Sequence, residues 1–321
     1  MRRNMNIDTT RVAIVGAGYM GGGIGQTLAR GGATVVLLDR DPAAAEAGHR
    51  RVVEQAADFE EKGYFDKGDA EAIAARISWS GDIAASVASA DLIFEVVFED
   101  LEVKKPVLLE IEKHARPDAI IASNTSAIPI AAMAEVLSTP ERFFGIHFFN
   151  PAQLLPGVEV IPGEKSDRSL IPGILELLTA AGKEPAVVPD TPGFVCNRLQ
   201  FALYKEAVKM VEEGAVSPEQ IDTVVKASFG FRLALYGPFQ VGDMAGLDVY
   251  ASSYKSLEAE LGERYTVPDS LRERVESGDF GIKTGGGYLG LSEDEAARLI
   301  AGRDKAYVAL GALRRELAAD S

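Results

Sequence analysis

The first fifty residues alternate between short apolar runs and longer segments of mixed polarity. Arg11-Val12-Ala13-Ile14-Val15, closed by Gly16, is a β-branched run with no polar interruption after its first residue, the signature of a strand buried on both faces. Residues 19–30 are small and apolar and end at Gly31-Gly32, which predicts a helix with a glycine stop. Thr34–Leu38 is the next strand, and Asp41-Pro42 reads as an N-cap with proline at the first helical position, opening a helix toward Gly63. Further strands are predicted at Leu92–Val97, Ala119–Ala122, Phe143–Phe149, Val158–Ile161 and Ala186–Val188, with helices over 104–114, 129–137 and 169–181. Strand and helix alternating in this way predict an α/β Rossmann-type domain with a mostly parallel sheet.

The pattern changes at Asp190-Thr191-Pro192-Gly193, and no strand is predicted from there to about residue 262. Thr191 is expected to cap a helix running to Glu213-Gly214, Ser217-Pro218-Glu219-Gln220 is a capping box for a helix stopping at Gly230, and Gly237-Pro238 starts a third ending near Gly262. Ser292-Glu293-Asp294-Glu295 caps one more, carrying Leu299, Ala306, Leu310, Leu313 and Leu317 at helical spacing. The expected organisation is an α/β domain over 1–188, an all-α domain over 189–291 and an extra C-terminal helix over 292–321.

Composition narrows the function classes. The 321 residues carry 33 basic and 48 acidic side chains, a net charge of −15, which disfavours nucleic acid and anionic membranes as partners. One cysteine, Cys196, forms no internal disulfide, and three histidines leave little material for a metal site, so none is expected. No apolar run approaches the roughly 18–20 residues of a membrane helix, and Met1-Arg2-Arg3 is followed by polar residues, so the expected setting is cytoplasmic.

Gly16-Ala17-Gly18-Tyr19-Met20-Gly21 joins the first strand to the first helix. The first glycine permits the tight turn, the second lets backbone approach a pyrophosphate, and the third lets helix pack on strand, while the helix N-terminus offers free N–H groups. Asp39, closing the second strand, is placed to accept hydrogen bonds from ribose hydroxyls and to repel a 2′-phosphate, which favours NAD over NADP. Arg40 beside it is a group that can accept a 2′-phosphate, and FAD uses the same kind of loop.

His49 and His114 lie among charged neighbours and read as surface residues, whereas His147 is embedded in the aromatic run Phe143–Phe149. An imidazole there is ordinarily a core residue, but burial also keeps it neutral and able to accept a proton. Glu159 interrupts Val158–Ile161, where an unpaired carboxylate is costly. A His147–Glu159 pair resolves both, the carboxylate orienting the ring and stabilising the imidazolium.

Gly16–Gly21, Asp39, Ser123-Asn124-Thr125-Ser126, His147-Phe148-Phe149-Asn150-Pro151, Val158–Ile161 and Asp190–Arg198 together resemble the L-3-hydroxyacyl-CoA dehydrogenase family, and Gly237-Pro238-Phe239, Gly246-Leu247-Asp248 and Lys283-Thr284-Gly285 continue the resemblance to about residue 290. The resemblance implies NAD-dependent interconversion of a 3-hydroxyacyl and a 3-oxoacyl thioester, and a homodimer through the helical domain. His147 would be the general base and Glu159 its partner, with Ser126 and Asn197 holding the reacting oxygen. Cofactor contacts would fall to Gly16, Ala17, Gly18, Tyr19, Met20, Gly21, Asp39, Glu99, Lys104, Ser126, Asn150 and Lys283; substrate contacts to Ser126, Asn197 and Lys62. The residues alone also allow Ser126 to be an N-cap before Pro129, Asn197 a helix bridge and Lys104 a solvated charge.

Departures from the family pattern cluster where the acyl carrier would lie: Pro156-Gly157 before the strand of Glu159, Tyr64 where a second lysine is common, and Phe231–Gly237 in place of a His-Pro-containing loop. An anionic carrier such as CoA would have to be held by local cations such as Arg50, Lys62 or Lys67 against the overall charge. The alternatives are a dehydrogenase of a free 3-hydroxy acid, as in the carnitine and gulonate dehydrogenase relatives, and a non-catalytic NAD-binding protein.

Overall fold

The computed structural model describes residues 5–319. Its first part runs β1 (Arg11–Val15), α1 (Tyr19–Gly31), β2 (Thr34–Leu38), α2 (Pro42–Glu61), α3 (Asp69–Arg76), β3 (Ile77–Ser80), α4 (Ile83–Ser89), β4 (Leu92–Glu95), α5 (Leu101–His114), β5 (Ile120–Ser123), α6 (Ile130–Ala134), β6 (Phe143–Phe148), β7 (Gly157–Pro162), α7 (Ile171–Ala180) and β8 (Glu184–Val187). The strands form one sheet in the order β3-β2-β1-β4-β5-β6-β7-β8, parallel except for the antiparallel pair β6–β7. Strand alternation divides the core: Val12 and Ile14 of β1 pack into one buried cluster, Ala13 and Val15 into another on the opposite face. Strand order reverses between β1 and β4, and the crevice beyond their carboxyl ends is where open α/β sheets bind ligands.

The predicted strands β1 and β2 match residue for residue, because both are buried runs with clear stops. Missed were α3, β3 and α4; β3 is a four-residue edge strand, Ile-Ser-Trp-Ser, with its middle residues exposed.

Compact units divide between Leu203 and Tyr204, inside α8 (Cys196–Glu212). The remaining elements are α9 (Pro218–Ala227), α10 (Phe229–Leu233), α11 (Pro238–Ala245), α12 (Leu247–Leu261), α13 (Asp269–Glu276) and α14 (Glu293–Ala319), with no strand among the described residues after β8. A small core of Leu247, Ala251, Val267 and Leu271 holds the second unit. Tyr307 of α14 packs on Phe231 and Tyr236 of the same unit, at centroid distances of 5.9 and 5.8 Å.

Three expectations for the helices are corrected. Thr191 does not cap a helix; residues 192–195 form a turn with Phe194 in the left-handed region (φ 48°), and the helix begins at Cys196. Gly230 is not a stop but lies inside α10, where a Cβ would stand 2.7 Å from the Val225 carbonyl oxygen, so glycine permits that close approach. The segment opened by Pro238 is two helices, broken at Gly246 with φ 105°.

Candidate functional site

The glycine loop differs position by position as a dinucleotide site requires. Gly16 has φ 115°, and a Cβ on it would stand 2.3 Å from the Val96 carbonyl oxygen; on Gly21 it would stand 1.9 Å from the Gly16 carbonyl oxygen. A Cβ on Gly18 would meet nothing within 4 Å, so this backbone is open to an approaching group at the N-terminus of α1. Asp39 Oδ2 accepts the Ala17 N–H at 3.1 Å, which leaves Oδ1 for a ribose hydroxyl. Behind the loop Arg51 donates to the Ala17 and Gly18 carbonyls at 2.8 and 3.0 Å, a support that sequence reading missed. A cavity of about 790 Å³, lined by Gly16, Gly18, Asp39, Val97, Phe98 and Val103 among others, opens beside it. Donors, charge and space fit NAD.

The twelve-residue separation of His147 and Glu159 is a consequence of sheet register. β6 and β7 pair antiparallel with His147 directly opposite Glu159, and His147 Nδ1 lies 2.9 Å from Glu159 Oε2. Both are buried, at 4% and 5% exposure. Because the carboxylate only accepts, Nδ1 carries a proton, so in the neutral ring it is Nε2 that presents the lone pair. The other carboxylate oxygen, Oε1, accepts the Val195 and Cys196 N–H groups, both at 2.9 Å, at the start of α8. Burial by itself raises the Glu159 pKa, but hydrogen bonds from the His147 ring and the Cys196 and Val195 amides outweigh it and hold the group below the ordinary carboxylate range. Phe149 meets the imidazole edge-on at 4.8 Å and Phe194 lies at 5.9 Å. Gly157 makes room for this: a Cβ there would stand 3.1 Å from the Phe149 ring.

Ser126 lies in the loop after β5. Its carbonyl accepts from Asn197 Nδ2 at 2.8 Å, so the two expected substrate-facing residues meet, with one N–H of the amide still free for another partner. Asp190 fastens the far end of the same loop, accepting the Ile130 and Ala131 N–H groups at 3.0 and 2.8 Å. Glu99 Oε1 accepts from the Thr125 hydroxyl and the Ser126 and Ala127 amides, at 2.6, 2.8 and 3.1 Å. Burial raises the Glu99 pKa, yet the Thr125 hydroxyl, the Lys104 charge and the Ser126 amide bring it below the ordinary value. Lys104 is 1% exposed, and its ammonium donates to Glu95, Glu99 and the Val97 carbonyl. Glu95, fully buried at the end of β4, was missed by sequence reading; an acidic residue closing an apolar strand beside the glycine loop was the available signal.

Three other expected residues stand differently. Asn150 is exposed just past β6. Lys62 is exposed and paired with Asp58 at 2.8 Å. Lys283 belongs to the second unit, where it pairs with Asp248. Among the described residues no group of three or more His, Cys, Asp or Glu side chains is arranged to hold a metal, and no helix is long and apolar enough to cross a membrane.

Comparison with known proteins gives a consistent result. Residues 11–191 match the family model for the 3-hydroxyacyl-CoA dehydrogenase NAD binding domain, and residues 193–290 match its C-terminal domain. A Mesorhizobium japonicum protein named 5-formyl-3-hydroxy-2-methylpyridine 4-carboxylate 5-dehydrogenase is 37% identical over 300 residues, covering 93% of this chain and 96% of that protein. A probable 3-hydroxybutyryl-CoA dehydrogenase from Bacillus subtilis is 34% identical, covering 89% and 99%. The crystal structure of a 3-hydroxyacyl-CoA dehydrogenase from Archaeoglobus fulgidus is similar with a TM-score of 0.79 at 31% identity, covering 96% and 99%.

Proposed function

We propose that this chain, which belongs to the 3-hydroxyacyl-CoA dehydrogenase family and is an NAD-dependent oxidoreductase, interconverts an (S)-3-hydroxyacyl-CoA and a 3-oxoacyl-CoA. The observation that carries the proposal is the buried His147–Glu159 pair beside the Ser126–Asn197 contact. NAD, when bound, supplies the hydride acceptor. His147 Nε2 takes the hydroxyl proton as the carbinol becomes a carbonyl, and the Glu159 charge offsets the imidazolium that forms. In the reverse direction the same nitrogen returns the proton. The Ser126 hydroxyl and the free Asn197 N–H donate to the reacting oxygen, where negative charge develops during reduction. Phe149 and Phe194 keep the ring dry and fixed in orientation.

A second reading, dehydrogenation of a free hydroxy acid, is favoured by two observations. Lys62 is tied to Asp58, with Tyr64 rather than a lysine nearby. The Mesorhizobium japonicum relative, 37% identical over 93% of this chain, is named for a free pyridine carboxylate whose reacting group is a formyl, so it speaks for a free acid in place of a CoA thioester and not for a 3-hydroxyl as the reacting group. NADH oxidation with acetoacetyl-CoA, set against NAD reduction with free 3-hydroxy acids, separates them. Faster turnover of the thioester supports the first reading, and no turnover of any 3-oxoacyl-CoA refutes it.

The same proposal includes a homodimer. No residue of α8 is buried, and Phe201, Tyr204 and Val208, at i, i+3 and i+7, are 61%, 66% and 36% exposed, an apolar stripe on one helix face that a second copy would cover. Sedimentation at micromolar concentration should give twice the chain mass, and a monomer would refute it.

A further inference from the structure

We infer that Glu95 is a positioning residue for the Ser126 loop, acting through Lys104 and Glu99. Glu95 Oε1 accepts the Val97 N–H at 2.7 Å and Lys104 Nζ at 2.9 Å, while Oε2 accepts the Ser123 hydroxyl at 2.5 Å and Lys104 Nζ at 3.1 Å. Every neighbour donates, as an ionised carboxylate requires. Lys104 then has its remaining N–H bonds directed at the Val97 carbonyl, 3.3 Å away, and at Glu99 Oε2, 3.2 Å away. With Oε2 held, Glu99 turns Oε1 to Thr125, Ser126 and Ala127. The chain of contacts leads from the sheet interior to the backbone that carries the Ser126 hydroxyl.

A buried ion pair is a poor way to stabilise a strand, since well-packed apolar residues of similar volume serve equally or better. What the pair provides here is direction. Glu99 is 38% exposed on its side chain and sits in a loop; the fully enclosed Lys104 fixes where its carboxylate points. In Glu95→Gln the side-chain oxygen can serve only one of the two donor sets, and the new NH2 faces a donor. Lys104 is left with Glu99 as its one full anion and is drawn onto it, in competition with the Ser126 and Ala127 amides.

The inference rests on the proposed function only for its effect on rate. The experiment is Glu95→Gln in the full chain, read by steady-state kinetics and by hydrogen exchange at individual amides. Exchange at Ser126 and Ala127 should quicken, with Ile93, Phe94, Ile121 and Ala122 in β4 and β5 unchanged. On the proposed mechanism kcat should fall about ten- to a hundred-fold, less than the roughly 10²–10³-fold of removing a donor to the reacting oxygen outright, because the Ser126 hydroxyl is displaced and not deleted. Unaltered exchange at 126 and 127, or equal acceleration throughout β4 and β5, overturns the inference. Should Glu95→Gln fail to fold, Glu95→Gln/Lys104→Met removes both charges together and is read in the same way. Ser126→Ala distinguishes the two levels: full activity in that variant overturns the role of the hydroxyl, while the exchange result still decides the role of Glu95.

Discussion

Replacing Glu159 by glutamine probes the division of labour between its two oxygens. In the wild type Oε2 takes the His147 Nδ1–H and Oε1 takes two backbone amides, each at 2.9 Å. Glutamine has one acceptor oxygen, so only one side can be served. If that oxygen faces the two α8 amides, the NH2 faces Nδ1, which must become an acceptor; the proton moves to Nε2 and the base is lost. If instead the oxygen faces the ring, the NH2 meets two N–H donors and the start of α8 is pushed away. Both arrangements also lose the charge that stabilises the imidazolium. Loss of the orienting carboxylate in a base-and-partner arrangement costs about 10⁴ in turnover in the best-studied serine protease case, equivalent to roughly 5 kcal/mol. The expectation here is a fall in kcat of about 10³–10⁴, with the KM for NAD nearly unchanged. Stability should drop by about 1–3 kcal/mol from the lost charge-assisted hydrogen bonds. The Glu159 pKa is lowered on folding, so its contribution is present above the unfolded carboxylate value and is lost as pH falls through the folded value. The stability gap between wild type and variant should therefore be full at neutral pH and close as pH falls through the folded Glu159 value, so the wild type loses more stability on acidification than the variant does. Stopped-time NADH assays and ¹⁵N spectra of the histidine ring are the measurements. A variant retaining a tenth or more of wild-type turnover, with Nδ1 still protonated, refutes the reasoning.

Two other expectations follow from the site and its surroundings. Asp39→Ala should raise the KM for NAD about ten- to a hundred-fold, the equivalent of a lost charge-assisted hydrogen bond, and narrow the preference over NADP; unchanged KM values for both cofactors would contradict the assignment. Lys183 is buried, with its ammonium donating to the Ala152 and Leu155 carbonyls at 2.6 and 2.9 Å, and burial together with the Arg30 charge lowers its pKa to about 8. Between that value and the ordinary one near 10.5 the unfolded chain binds the proton more tightly, so stability should rise with pH across this window. The rise should reach a few kcal/mol, of order 1.4 per unit, in urea unfolding of the wild type and be missing from Lys183→Met; parallel pH profiles for the two proteins would show that Lys183 contributes none of it.

Elements whose local pattern and tertiary role agree were legible in the sequence. β1, the glycine loop, α1 and β2 are of this kind, since each residue's burial follows from its own run and stop signals. The His147–Glu159 pair was legible for a related reason: two costly groups in adjacent buried runs have to satisfy one another, and antiparallel register brings them opposite. What stayed hidden was determined at a distance. The start of α8 receives its acceptor from Glu159, 36 and 37 residues away, so Thr191-Pro192 gave a plausible but wrong local start. Lys104 reads as a surface charge on a helix, and only the position of β4 beside α5 shows that it is buried against Glu95. Short edge strands such as β3 carry too few buried positions to show a period.

The central claim is that His147 is the base of an NAD-dependent dehydrogenase, and His147→Gln tests it most directly. With NAD affinity measured by titration and turnover by NADH formation on a 3-hydroxyacyl thioester, NAD binding should stay within about three-fold of wild type while kcat falls at least a thousand-fold, of the order of base removal in other enzymes. Turnover that survives the substitution would contradict the claim.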